Sequence, residues 1–218
     1  MAGSLSCINL RGERYQIMAG HAMNEIVRAI ALLLLALLPA ACSAPADAPP
    51  PLQGARIGGP FTLVDQDGRT VTDRSFAGKY RIVYFGYTFC PDVCPTDAQH
   101  IGAALRLVEQ ADPKAGAKIV PIFITVDPAR DTPAVLKAFT AAFHPRMVGL
   151  TGSAEAIAAV AKAYAVYFKK GAVTPNGGYM MDHSSVAYLM DPDGKPLALL
   201  PVEQAPEAVA AELKRWVK

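Results

Sequence analysis

The chain has 218 residues, 52% hydrophobic and 18% charged, with 21 Lys and Arg against 19 Asp and Glu for a net charge of +2. That length holds one domain with appendages, or at most two small domains, and the apolar fraction suffices for a buried core. From Ser43 onward the balance is 18 basic to 17 acidic residues, and such scattered charge leaves no electrostatic footprint for nucleic acid.

The first marked segment is "IALLLLALL", residues 30–38, preceded by Arg28 and followed by "PAACSAPADAPPP". A basic flank, a short apolar run and a small-residue exit mark an export signal. The run falls short of the roughly 20 apolar residues that span a bilayer. Counted from Met23 the signal has an ordinary length, so residues 1–22 read either as an over-called start or as an extended n-region. Cys42 follows Ala40 and Ala41, where a bacterial lipoprotein is cut and lipidated. Pro39 departs from the aliphatic residue usual at that place, and the competing reading is cleavage after a small-x-small triplet such as Ala44-Pro45-Ala46. The expectation is a lipoprotein-type signal over 23–41, a lipid on Cys42, and attachment to the bacterial cell membrane facing the periplasm.

Residues 42–57 are rich in Ala and Pro and read as a tether. With Cys7 in the leader and Cys42 in the anchor, Cys90 and Cys94 remain, and the default for such a pair in an oxidising compartment is a disulfide.

The body runs over 58–218. "FTLVDQDGRTVT" is two alternating runs about a Gln-Asp-Gly turn, a hairpin signal. "RIVYFGYTF" is almost wholly apolar or aromatic, as in a strand buried on both faces. Pro95 suits a first helical position, and Ile101, Leu105 and Val108 then recur at helical spacing. "KIVPIFITV" predicts a second buried strand. "DTPAVLKAFTAAF" predicts a helix capped by Asp131 or Thr132, with Pro133 just inside. "MVGL" reads as a short strand and "SAEAIAAVAKAYAV" as a helix. "SSVAYLM" and "KPLALL" flank the turn Asp-Pro-Asp-Gly, and "PEAVAAELKRWVK" closes with a helix. Strands alternating with helices, then a terminal hairpin, predict an α/β fold with a mixed sheet. A dithiol between the first buried strand and its following helix is the thioredoxin arrangement.

In "YFGYTFCPDVCPTD", Cys90 ends the strand and Cys94 is placed to cap the helix, whose N-terminus favours thiolate over thiol. That serves a nucleophile or a soft metal ligand, and the loop is short enough for a disulfide. Three residues, Pro91, Asp92 and Val93, separate the sulfurs, against the Cys-X-X-Cys of thiol–disulfide catalysts. A disulfide, a redox pair and half of a metal site all remain open here.

His100, on the helix beside Ile101, reads as a surface or boundary residue, and His144, in "FHPRM", as structural. His183, in "YMMDHSSVAYLM", precedes a strand at the loop that faces the dithiol in a thioredoxin-like sheet. Oxidoreductases carry a cis-proline there, and this chain has no proline between Pro175 and that strand. His183 is either a third donor, since thiolates plus imidazole select copper(I), zinc or iron–sulfur, or a loop histidine bonded to a backbone carbonyl.

Three separated motifs, "VYFGYTFCPDVCPTD", "TVDPARDTP" and "DHSSVAYLMDPDGK", stand in this order and resemble the Sco/SenC family of copper-binding, thioredoxin-fold assembly factors, over essentially the whole body. The resemblance implies copper as the metal and Cys90, Cys94 and His183 as its ligands. It implies a metallochaperone for the dinuclear copper centre of cytochrome c oxidase, with that oxidase's copper-site subunit as partner. Another periplasmic copper chaperone or a thioredoxin-like reductase would be a second partner. The alternative is a thiol–disulfide oxidoreductase that reduces the oxidase's copper-site cysteines; a peroxidase-like thiol is more remote. Asp127 and Asp131 are read as strand-ending and helix-starting residues, Asp92 and Asp182 as supports of the ligands or a fourth donor, and Met180 and Met181 as packing residues in preference to thioether donors; all stay outside the ligand set.

Overall fold

The computed structural model describes residues 48–175 and 177–218. The expected export signal, Cys7, Cys42 and the first part of the tether lie outside the described residues. In chain order the elements are β1 (Thr62–Asp65), β2 (Thr70–Thr72), a 3-10 turn (Asp73–Phe76), β3 (Tyr80–Gly86), α1 (Val93–Ala111), α2 (Pro113–Ala117), β4 (Ile119–Thr125), α3 (Pro133–Phe143), β5 (Val148–Thr151), α4 (Ala154–Ala163), β6 (Phe168–Lys170), β7 (Met181–His183), β8 (Ala187–Met190), β9 (Pro196–Leu200) and α5 (Pro206–Trp216).

The nearly all-apolar strand β3 is buried at every residue, Arg81 included. It pairs in parallel with β4 along its length, from Tyr80↔Ile119 to Gly86↔Thr125, and antiparallel with β8 on its other side. β5 lies parallel to β4, while β1 and β9 join antiparallel, giving the order β2-β1-β5-β4-β3-β8-β9. The sheet is mixed, as expected. Pro121, which has no N–H to give a ladder, stands just before the β5 pairing begins at Ile122, where its loss is tolerated.

Two turns share one construction. Asp65 Oδ1 accepts from Asp67 N and Arg69 N, at 2.9 and 2.8 Å. Asp191 Oδ1 does the same for Asp193 N and Lys195 N. Such carboxylate-capped turns, closed by Gly68 and Gly194 at positive φ, fix the register of both hairpins.

Because successive strand side chains point to opposite faces, Tyr84 meets Asp97 on α1, and Phe85 meets Tyr164 after α4, with ring centroids 5.4 Å apart. The buried side of α1 carries Cys94, Asp97, Ala98, Ile101, Leu105 and Val108, the helical spacing read from sequence. Gly102 lets α3 come close: a Cβ there would sit 2.6 Å from the Phe143 carbonyl oxygen. Thr132 caps α3 and Ser153 caps α4 through their hydroxyls.

The folded unit starts at Pro49, ahead of the boundary expected at Gly58. Leu52 N donates to Leu197 O at 3.0 Å and Gly58 N to Ala163 O at 2.9 Å, so the last part of the predicted tether lies on the domain. Among the described residues no helix is long and apolar enough to cross a membrane.

His144 is structural, as expected. It is 3% exposed, and its Nε2 lies 3.3 Å from Glu109 Oε2. Burial holds its pKa below the ordinary histidine value, against the pull of Glu109 and with help from Arg106 and Arg146. A base with a depressed folded pKa binds its proton more readily when unfolded, so stability is present above the ordinary value and lost as pH falls below about 6.5. Denaturant midpoints should therefore drop between about pH 7 and pH 5, less steeply in His144→Gln; an equal slope in the two proteins would put the protonation elsewhere.

Candidate metal centre

After Gly86 the chain leaves the sheet, and α1 opens at Val93 with Asp92 as N-cap residue, making no side-chain cap bond. Cys94 therefore sits inside the first helical turn, with Pro95 one place deeper; neither is at the expected cap or first position. Pro95 is accommodated because the first-turn amides have no intrahelical partner to lose. Cys94 is buried and Cys90 half-buried, both as free thiols. Cys94 N donates to Cys90 Sγ at 3.5 Å, which holds the sulfurs on one helix end.

Gly86 makes room for this. A Cβ there would lie 2.9 Å from the Tyr84 ring and 3.1 Å from Cys94 Sγ, so any larger residue would push on the buried sulfur.

His183 reaches the same place from β7. Its Nε2 lies 3.2 Å from Cys94 Sγ, and its Nδ1 lies 3.1 Å from Ser184 O. A carbonyl only accepts, so Nδ1 carries the proton and Nε2 presents its lone pair to the sulfur. The expected bond to a backbone carbonyl is made, and it aims the other ring nitrogen at Cys94 Sγ. Burial holds its pKa below the ordinary histidine value, opposed by the Ser184 carbonyl, Asp97 and Asp182, which keeps it neutral at neutral pH. Tyr87 meets the ring edge-on with centroids 5.9 Å apart.

The strand carrying His183 belongs to a two-stranded ribbon, β6 with β7, in which Phe168 opposes His183. Ser184 N donates to Tyr167 O, and Tyr167 N to Ser184 Oγ. Beneath it, Asp97 is 5% exposed and accepts from Tyr84 Oη and Ser185 Oγ, both at 2.8 Å. This buried carboxylate joins α1, β3 and the segment after His183. Sequence reading passed it over; its one signal was an acidic residue on the apolar side of α1.

The helix N-terminus was expected to favour thiolate at Cys94. In the fold burial is the larger effect and pushes this thiol up, with the neighbouring Cys90 adding to it. Without metal, Cys94 is held as a thiol, its hydrogen directed at His183 Nε2. Iodoacetamide under anaerobic, neutral conditions should alkylate the half-exposed Cys90 at least about tenfold faster than Cys94. Mass spectrometry of early time points reads this, and equal labelling would mean that the helix end opens freely.

The loop before Cys90 is anchored from the other side. Asp131, fully buried, accepts from Thr88 N at 3.0 Å, Thr88 Oγ1 at 2.6 Å and Thr125 Oγ1 at 2.6 Å. It was expected to start α3; Thr132 does that, and Asp131 instead ties the dithiol loop to the end of β4. Asp127 takes Arg130 Nε and Tyr179 Oη, so the same turn also holds the segment that leads into β7. Asp131→Asn sets an amide N–H against one of these donors and should destabilise the protein by about 2 kcal/mol. Amide exchange at Thr88 should quicken with it; an unchanged Thr88 would remove Asp131 from the loop's support.

Asp92 and Asp182 are exposed, Met180 is 49% exposed and Met181 is buried. His100 is half-buried, its Nδ1 2.7 Å from Val202 O. Among the described residues no three His, Cys, Asp or Glu side chains stand closed as a finished metal cage. Cys94 Sγ and His183 Nε2 are in contact, and Cys90 Sγ, on the neighbouring loop, accepts from the Cys94 amide.

A family model described as SCO1/SenC matches residues 49–218. The chain belongs to the SCO1/SenC family. Protein SenC of Rhodobacter capsulatus is 46% identical over 159 residues, 72% of this chain and 68% of that one. The mitochondrial SCO1 homolog 1 of Arabidopsis thaliana is 44% identical over 139 residues, 64% of this chain. The match spans 40% of that relative's own length. Bradyrhizobium japonicum ScoI, solved with copper bound, has a TM-score of 0.67 at 47% identity, covering 73% of this chain and 99% of that one. BsSco, described as having a disulfide switch and as a member of the Sco family of cytochrome c oxidase assembly proteins, has a TM-score of 0.56 at 30% identity, covering 73% and 92%. The thioredoxin-like fold expected from sequence is the fold of these SCO1/SenC neighbours.

Proposed function

We propose that this SCO1/SenC protein is a copper metallochaperone for the dinuclear copper centre of cytochrome c oxidase, with Cys90 Sγ, Cys94 Sγ and His183 Nε2 as its copper ligands. The observation that carries the reading is the 3.2 Å approach of His183 Nε2 to Cys94 Sγ. The tautomer fixed through Ser184 O leaves that nitrogen free to bind. Two thiolates and an imidazole form a soft set suited to copper(I), and a further nitrogen or oxygen donor would admit copper(II). Support also comes from the copper bound in Bradyrhizobium japonicum ScoI. Cys90 completes the set by a movement of its half-exposed loop, which also gives a partner's thiols access to the metal. Anaerobic titration of the reduced protein should take up a single equivalent of copper(I), and Cys90→Ser or Cys94→Ser should lose it. Uptake unaffected by either change would end the assignment.

A second reading is favoured by the Cys90–Cys94 contact: thiol–disulfide exchange with the oxidase's copper-site cysteines. The disulfide switch named for BsSco fits it. The proposed place of action is the periplasmic face of the bacterial membrane, with Cys42 lipidated. The partners would be the oxidase's copper-site subunit and either another periplasmic copper chaperone or a thioredoxin-like reductase. Labelled palmitate recovered on the wild type but not on Cys42→Ser would support the anchor; an unlabelled wild type would dismiss it.

A further inference from the structure

Beside the dithiol loop, and outside the proposed ligand set, lies an open cleft of about 430 Å³ lined by Phe89, Arg130, Gly171, Thr174, Tyr179 and Met180. Arg130 is packed there as a cation among aromatic rings, its guanidinium carbon 3.7 Å from the Tyr179 centroid and 4.8 Å from that of Phe89. Its Nε donates to Asp127 and its Nη1 to Tyr179 O at 3.0 Å. The remaining nitrogen, Nη2, is buried and has no hydrogen-bond partner among the described residues. The carboxylate bonded to Arg130, that of Asp127, also accepts from Tyr179 Oη. A second cation, Lys170 Nζ, stands 3.9 Å from the Tyr179 centroid.

Arg130 and Lys170, both stacked on the Tyr179 ring, give this wall an excess of positive charge that suits a carboxylate better than any neutral group. The rim is apolar: Phe89 is 52% and Met180 49% exposed, which suits the methylene stem of a glutamate more than a small free anion. Phe89 immediately precedes Cys90, so whatever binds here lies beside the loop that carries that sulfur. We propose that this cleft is a subsite for an acidic side chain on a peptide segment of the partner protein, next to a cysteine of that partner. The proposal rests on the reading that Cys90 meets a partner's thiol. Opposite charge at such a subsite speeds encounter and fixes register.

The test uses Cys94→Ser protein, whose dithiol loop keeps only Cys90, and short capped peptides activated as mixed disulfides with thionitrobenzoate. The Cys90 thiolate attacks the peptide sulfur, the S–S bond of the peptide breaks, thionitrobenzoate leaves with its colour, and a Cys90–peptide disulfide forms. A peptide with Glu two residues from its Cys should react about tenfold faster at low salt than the same peptide with Gln. That ratio should fall to near one in Arg130→Gln and be partly kept in Arg130→Lys. A merely supporting Arg130 would slow both peptides alike and leave the ratio untouched. Equal rates for Glu and Gln peptides in the parent would overturn the subsite, and so would a ratio that survives Arg130→Gln. Copper plays no part in this reaction. A protein that binds copper yet shows no ratio loses the subsite alone, and one that shows the ratio but binds no copper loses the chaperone reading alone.

Discussion

His183→Ala should keep copper(I) bound but lose copper(II) almost completely. Copper(I) is satisfied by two thiolates, so its affinity should fall by on the order of 100-fold, the upper end of what losing a ligand's supporting partner does. Copper(II) needs nitrogen or oxygen donors, and the imidazole is the one proposed donor of that kind. The change removes the 3.2 Å partner of Cys94 while Asp131 still holds the loop, so the dithiol should remain in place. Disulfide exchange should therefore continue within a modest factor. Copper titrations of the pure variant, set beside oxidase assembly in cells that carry only this variant, separate the two functional readings. Failed assembly with intact thiol exchange selects the chaperone. Normal assembly after copper(II) is lost selects the reductase. Unchanged binding of both copper ions would strike His183 from the site.

Oxidation of Cys90 and Cys94 to a disulfide should remove copper(I) binding by several orders of magnitude, with full recovery on reduction. The two residues are already close, the Cys94 amide donating to Cys90 Sγ at 3.5 Å, so closure needs a movement of the Cys90 loop and little of the helix. A disulfide sulfur is no thiolate, and two of three donors vanish in one step. Uptake should track the count of free thiols through a redox titration. If the fully oxidised protein took copper(I) as well as the reduced one, the metal would have to be held by other groups.

The parts of the fold that were legible are those with a repeating physical signal. Nearly continuous apolar runs gave β3 and β4, and the Asp-x-Asp-Gly turns gave both hairpins, because one carboxylate caps two amides in each. β6 and β7 were missed because three residues carry no period, and their pairing spans a loop without apolar pattern. The start of α1 was misplaced because proline marks a helix start at any first-turn position, not the first alone. Asp131 looked like a cap in sequence, and only the fold reveals that its carboxylate faces Thr88 and Thr125. Ala and Pro in the tether gave no hint that Leu52 would pair with Leu197. Cys90 and Cys94 were legible from their place between a buried strand and its helix, and His183 as a candidate from the loop facing them in a thioredoxin-like sheet. The set of three came only with the resemblance, since spacing within one loop does not say that a histidine far along the chain will meet Cys94.

That last separation bears on how the protein is born. Cys94 and His183 are 89 residues apart, and β3 waits for β8, in which Met190 pairs with Arg81, to cover its second edge. A chain emerging N-terminus first offers both sulfurs to its surroundings long before the imidazole arrives. In that interval the nascent thiols are open to oxidants and to any soft metal that two sulfurs suffice to hold. With the proposed ligands, copper(II) would gain its nitrogen donor only in the finished fold, so a stalled or truncated chain would be an open thiol trap. Escort of the emerging chain, or speed in closing β8 onto β3, would thus shield the two thiols until the imidazole arrives.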